Sequence, residues 1–122
     1  MKSKKEMTSE YKQMKFKIGV FQIRNLVNGK VFIGSAMNLD AKWNSQKMQL
    51  QSGTHTNEEL LKDWKEFGAE NFVYEIIEEI EQNDDDINKD YRNELKELEA
   101  FIFEDLQPYN DKGYHKMKVH SL

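Results

Sequence analysis

The sequence predicts a single α+β sandwich, a short three-stranded antiparallel sheet flanked by helices in the order ββααβα. Three observations predict it: two β-branched and aromatic runs joined by Asn28-Gly29, two amphipathic segments with helix-start residues after them, and a third such run followed by a long helical stripe. At 122 residues the chain has the size of one domain and can bury an apolar core without disulfides or metal.

The elements follow from local pattern. Thr8 to Lys15 is polar, with Tyr11 and Met14 three apart, so residues 1–15 read as a lead-in with at most a short helix. Phe16 to Ile23 alternates like a strand, and Val31 to Ile33 gives a second run. Asn-Gly between them is the strongest short hairpin signal, because both residues of a two-residue turn take positive φ. Such a turn puts Phe32 opposite Asn25 and leaves Phe21 on the same face as Phe32. Leu39, Trp43, Lys47 and Leu50, spaced by four, four and three, make one helix face after the N-cap residue Asn38. Thr56-Asn57-Glu58-Glu59 has the form of a capping box, Leu60, Leu61, Trp64 and Phe67 form a stripe, and Gly68 stands where a helix would end. Asn71 to Ile80 is rich in β-branched and aromatic residues and reads as the third strand. Asp84-Asp85-Asp86 marks a loop and a helix start, since carboxylates favour the positive end of the helix dipole. Ile87, Tyr91, Leu95, Leu98 and Ile102 then form a face running toward the only proline, Pro108. The domain is expected over residues 16–110, with residues 111–122 as a C-terminal tail.

Charge is unevenly distributed. The net charge of −4 conceals +4 over residues 1–17, +3 over 18–57, −13 over 58–110 and +2 over 111–122. The basic half can meet a phosphate backbone, while the acidic half repels one unless its carboxylates face away or hold a cation. The absence of cysteine excludes thiolate catalysis and Cys-ligated zinc and fits a reducing compartment. No apolar run approaches the roughly 20 residues that span a bilayer. A cytoplasmic location without membrane contact is expected.

The hairpin carries two triplets, Gly19-Val20-Phe21 and Phe32-Ile33-Gly34, and an ordered series follows them: Ser35, Asn38-Leu39, Lys42-Trp43, Gly53-Thr54-His55, Asp63-Trp64, Phe67-Gly68, Asn71-Phe72, Leu98-Glu99 and Pro108-Tyr109-Asn110. In these residues the chain resembles the GIY-YIG nuclease superfamily, with GVF and FIG in place of the naming triplets. The resemblance implies a phosphodiesterase fold used by excision-repair nucleases, homing endonucleases and some restriction enzymes to hydrolyse DNA with one divalent cation, Mg²⁺ or Mn²⁺. It implies that tyrosine hydroxyls and their partners handle the proton of the attacking water, that an arginine stabilises the charged transition state, and that one glutamate holds the cation.

Carried over by position, the resemblance assigns Phe21 and Phe32 to the two tyrosine positions, and neither has a hydroxyl. Lys42 takes the arginine position, keeping the charge without the bidentate fork. Gln46 falls where relatives place His and does not titrate. Glu99 matches the metal-binding glutamate and Asn110 the closing asparagine. Each has a plainer reading: Phe21 and Phe32 as packing residues, Lys42 as a surface helix lysine, Glu99 as one solvated carboxylate among many. His55 could serve the edge of a site or simply a helix entry, and His115 and His120 fall in the tail without a partner at ligand spacing. Tyr74, Tyr91 and Tyr109 are further hydroxyls without an assigned place.

Three functions stay open at this level. One is a catalytically degenerate domain that retains a DNA or divalent-cation site, another an active metal-dependent endonuclease, and the third a protein-interaction module using the acidic helices. No small-molecule cofactor is expected. Partners are therefore DNA or another protein.

Overall fold

Alternation and capping place six elements in a computed structural model that describes residues 16–82 and 90–116. These are β1 (Gly19–Asn25), β2 (Val31–Ala36), α1 (Leu39–Ser52), α2 (Glu58–Phe67), β3 (Phe72–Glu79) and α3 (Arg92–Leu106). The sheet is antiparallel with order β2-β1-β3, so β1 is central and β2 and β3 are edges. The architecture is the α+β sandwich expected from the order of elements. The expected lead-in over residues 1–15, together with Asp84-Asp85-Asp86, Ile87 and His120, lies outside the described residues.

Because β1 is covered on both faces, its successive side chains divide two cores. Val20 joins Ile18, Ile33, Tyr91, Leu95 and Ile102 on the α3 side. Phe21 and Ile23 join Leu39, Leu50, Leu60, Trp64, Phe72 and Tyr114 on the side of α1 and α2. Truncating a buried Leu in either cluster typically costs about 2–5 kcal/mol. No described helix is long and apolar enough to cross a membrane.

The hairpin differs in detail from expectation. The turn is longer than two residues: the Gly29 amide donates to the Asn25 carbonyl (2.8 Å), and the Asn25 amide to the Lys30 carbonyl (2.9 Å). Of the pair Asn28-Gly29 only Gly29 takes a positive φ, 77°. Asn25 Oδ1 accepts from the Val27 amide and Asn28 Oδ1 from the Lys30 amide, each at 2.9 Å. These side chains bridge backbone donors within the loop and favour the longer connection. Phe32 consequently faces Ile23 and Phe21 faces Gly34. A slip of two residues preserves the face, so Phe21 and Phe32 still share one surface.

Helix starts also shift slightly. Asn38 caps α1 by accepting from the Ala41 amide at 3.1 Å. The cap of α2 is Asn57 and not Thr56: its Oδ1 accepts from the Leu60 amide at 3.0 Å, and its Nδ2 donates to the Tyr114 carbonyl at 3.0 Å. The second bond ties the helix start to the C-terminal segment. At the other end of α2, Gly68 donates to the Trp64 carbonyl with φ 89°.

The segment expected as a tail is part of the core. Tyr114 is fully buried. Its hydroxyl accepts from Asn25 Nδ2 (2.9 Å) and donates to Asp63 Oδ2 (2.8 Å), which joins the hairpin, α2 and the chain end. Burial, the largest cause, holds this phenol well above its ordinary range. Tyr114→Phe is expected to destabilise the fold by about 1–3 kcal/mol, because it strands the buried Asn25 amide. Urea unfolding monitored by tryptophan fluorescence will show the loss; an unchanged midpoint would contradict this role.

Candidate active site

The two triplets place Phe21 in the middle of the sheet. Its ring is fully buried, 5.1 Å from Tyr74 and 6.5 Å from Phe32 between centroids. It leans across from β1 onto its partner Gly34, where an added Cβ would stand 2.6 Å from Phe21 Cζ. Only a residue without a side chain leaves that space, so the glycine of the second triplet is the seat for the aromatic of the first. Tyr74 supplies no free hydroxyl here, since it donates to the Leu39 carbonyl at 2.7 Å and burial pushes its phenol up to about 12.

Phe32 is half-buried and lies between two imidazoles. His55 meets it edge-on at 5.2 Å, and His115 stacks on it at 5.0 Å with an 18° tilt. His55 Nδ1 accepts from the Asn57 amide at 3.0 Å, so the proton sits on Nε2, which donates to Gln46 Oε1 at 2.5 Å. Both nitrogens are engaged. Burial lowers the His55 pKa, and the charge of Lys42 lowers it further. Gln46, buried on α1, therefore acts as the fixed acceptor for a neutral imidazole.

The outer edge of β2 is partly closed by the chain end. Tyr114 donates its amide to the Val31 carbonyl at 3.0 Å, and the Ile33 amide donates to His115 Nε2 at 2.8 Å. The His115 ring also meets Phe103 of α3 edge-on at 4.6 Å. Past this closure a groove of about 450 Å³ opens, lined by Ser35, Ala36, Met37, Asn38, Ala41, Lys42, Ser45 and Leu95. Its walls come from helices on opposite faces of the sheet, α1 with Lys42 and α3 with Leu95.

Of the four cations of residues 18–57, three are committed. Arg24 pairs with Glu75 and Lys30 with Glu59, each at 2.7 Å, and Lys47 lies over the Trp43 ring at 5.2 Å. Lys42 takes no ion-pair partner among the described residues and lines the groove. Glu99 is half-buried on α3, one turn after Leu95 and one turn before Phe103, on the helix stripe that runs from the groove to the ring of His115. No group of three His, Asp or Glu side chains that could hold a metal occurs among the described residues. A single carboxylate still suits a hard cation that keeps most of its water and takes its remaining oxygens from phosphate.

Asn110 stands apart from this cluster. It is exposed, with φ 55°, in a single 3₁₀ turn over Asn110–Lys112. The reason lies in the chain reversal that follows α3: Gly113 passes so close to Pro108 that a Cβ would come within 2.2 Å of its carbonyl oxygen. The reversal carries residues 113–115, and not Asn110, to the β2 edge. The residue from the chain end that meets Phe32 is His115. Sequence reasoning left His115 and Tyr114 in the tail, although the glycine before them was a signal for a close backbone approach. Tyr91 is buried at the start of α3, and Tyr109 is bridged to His115.

Comparison with known proteins is in accord with the geometry. The family described as GIY-YIG catalytic domain matches residues 17–114. Intron-associated endonuclease 1 of Enterobacteria phage T4 is 33% identical over 86 residues, which span 70% of this chain and 35% of that protein. The chain thus corresponds to about a third of that relative's length. Among solved structures, the catalytic domain of homing endonuclease I-TevI superposes with a TM-score of 0.63 at 28% identity, covering 75% of this chain and 89% of that one. A mutant form of the catalytic domain of intron endonuclease I-TevI gives 0.51 at 32% identity, covering 71% and 89%.

Proposed function

The chain belongs to the GIY-YIG catalytic domain family, an endonuclease-like fold, and from that membership we propose a DNA-backbone-binding domain whose cleavage chemistry is severely impaired. The observation that carries this reading is that, among the described residues, the aromatic and imidazole groups gathered around the two triplets have no means of taking a proton. Phe21 and Phe32 have no hydroxyl, Tyr74 is bound to a carbonyl, and both nitrogens of His55 are engaged. His115 spends its one lone pair on the Ile33 amide. Hydrolysis of a phosphodiester needs a water stripped of its proton, and nothing in this set can do it at neutral pH.

What the chain retains is electrostatic. Lys42, without an ion-pair partner among the described residues, offers its charge to a phosphate oxygen in the groove, with Ser35 and Ser45 as hydroxyl donors beside it. Glu99 would hold Mg²⁺ or Mn²⁺, which when bound supplies neutralisation of charge developing on phosphate oxygens. DNA contact through one or two cations gives weak, salt-sensitive binding. The acidic balance of residues 58–110 opposes any broader contact with a phosphate backbone.

The test is a cleavage assay on plasmid and single-stranded DNA with Mg²⁺ and with Mn²⁺. No more than trace activity is expected. Turnover that vanishes in Glu99→Ala would overturn the proposal, since a contaminating nuclease would not respond to that change. A gel-shift titration at low and high salt separates backbone binding, lost at high salt, from a protein-interaction module that never shifts DNA.

A further inference from the structure

We propose that His115 is a positioning residue of this site: its neutral imidazole accepts the Ile33 amide proton, clamps residues 113–115 along the outer edge of β2 and holds the Phe32 ring, and protonation releases the clamp. The inference deepens the proposed function, and rests on it only in treating the Phe32 surface as a site.

The clamp has three parts. Val31 and Gly113 form a parallel bridge, the Tyr114 amide reaches the Val31 carbonyl at 3.0 Å, and the next outward-facing donor of the strand, the Ile33 amide, ends on His115 Nε2 at 2.8 Å. A side-chain nitrogen thus replaces the carbonyl that another strand would present to this edge. The His115 amide in turn donates to the Pro108 carbonyl at 3.1 Å, which fixes the ring's base. Stacking on Phe32 and edge contact with Phe103 fill both sides of the ring.

An imidazolium carries a proton on each nitrogen and cannot accept the Ile33 amide. Two N–H groups would then face one another in an aromatic slot, and the ring would have to leave it. β2 brings no titratable side chain to this place. Across Phe32 stands the neutral His55, α3 brings Glu99 and Glu104 on either side of Phe103, and the chain end brings Tyr109, Asp111, Lys112, Tyr114 and Lys116. The His115 pKa, about 4 against an ordinary 6.5, is lowered by burial, and no charged neighbour contributes. A depressed folded-state pKa means that the clamp's contribution to stability is full above about pH 6.5 and is lost as pH falls toward about 4, where the ring in the folded protein takes its proton.

The experiment follows the His115 ring and the Ile33 amide by NMR from pH 7.5 to 4, with melting temperature and duplex-DNA gel shifts at constant ionic strength. His115→Gln is the control, because its Oε1 can accept the same amide and does not titrate. The two wild-type signals are expected to move together with a midpoint well below 6.5. The folding constant of the wild type should fall on the order of tenfold more than that of His115→Gln between pH 7.5 and 5. His115→Phe should expose the Ile33 amide to exchange at every pH. The clamp is refuted if His115 titrates at its ordinary value, if the glutamine variant shares the wild-type acid profile, or if His115→Phe leaves the Ile33 amide protected. If the wild-type signals titrate as expected but DNA affinity ignores the step, His115 is not positioning the site. Absence of DNA binding at every pH with the titration intact refutes the proposed function and leaves the clamp standing.

Discussion

Phe21→Tyr, Phe32→Tyr and Lys42→Arg combined will raise divalent-dependent DNA cleavage above the parent by about 10²-fold or more, the scale on which single catalytic hydrogen-bonding groups act. The ring of Phe21 already reaches across β1 onto Gly34. A hydroxyl on its Cζ continues that line toward the β2 edge, where Ser35 and Lys42 line the groove. Phe32 is half-buried, so a hydroxyl there meets water or a neighbouring imidazole without a large burial cost. Arginine at position 42 adds the fork that two phosphate oxygens accept together. Gln46 is best left unchanged, because it holds the Nε2–H of His55. The principal risk is the hydroxyl at position 21, costing about 1–3 kcal/mol if it finds no partner, so melting temperatures must accompany the rates. A triple mutant that keeps its melting temperature, binds DNA and cuts nothing would mean that the groove no longer has the geometry of a nuclease.

The second large effect is on stability. Phe21→Ala removes a fully buried ring from the centre of the sheet and is expected to cost about 3–5 kcal/mol. Gly34→Ala alone should cost about 1–3 kcal/mol, since its methyl would press on a ring held by Tyr74 and Phe32. In the Phe21→Ala background the same methyl enters vacated space. The two changes should therefore be strongly non-additive, with a coupling of about 1–3 kcal/mol, and urea denaturation of the four proteins measures it directly. Simple additivity would show that Phe21 and Gly34 do not depend on each other, and the argument for a hydroxyl crossing Gly34 would fall with it.

Much of the fold was legible in local pattern. Alternation and β-branching marked the three strands, the stripes at three and four residues marked the helices, and Asn38 and Gly68 marked helix ends because caps answer a need of the neighbouring backbone alone. The shared face of Phe21 and Phe32 could be read as well, since side-chain direction in a strand repeats every two residues and survives a slip of that size. Tertiary structure alone decided the hairpin register, the choice of Asn57 over Thr56 as cap, the engagement of both His55 nitrogens, and the arrival of His115 where Asn110 was expected. Each of these depends on partners distant in the chain: Asn57 on Tyr114, 57 positions away, and Ile33 on His115, 82 positions away. Periodicity records how a residue meets its own element. It carries no information about which far segment the chain reversal at Gly113 will bring against it, and that contact is what determines whether a ring nitrogen is free for chemistry or already bound.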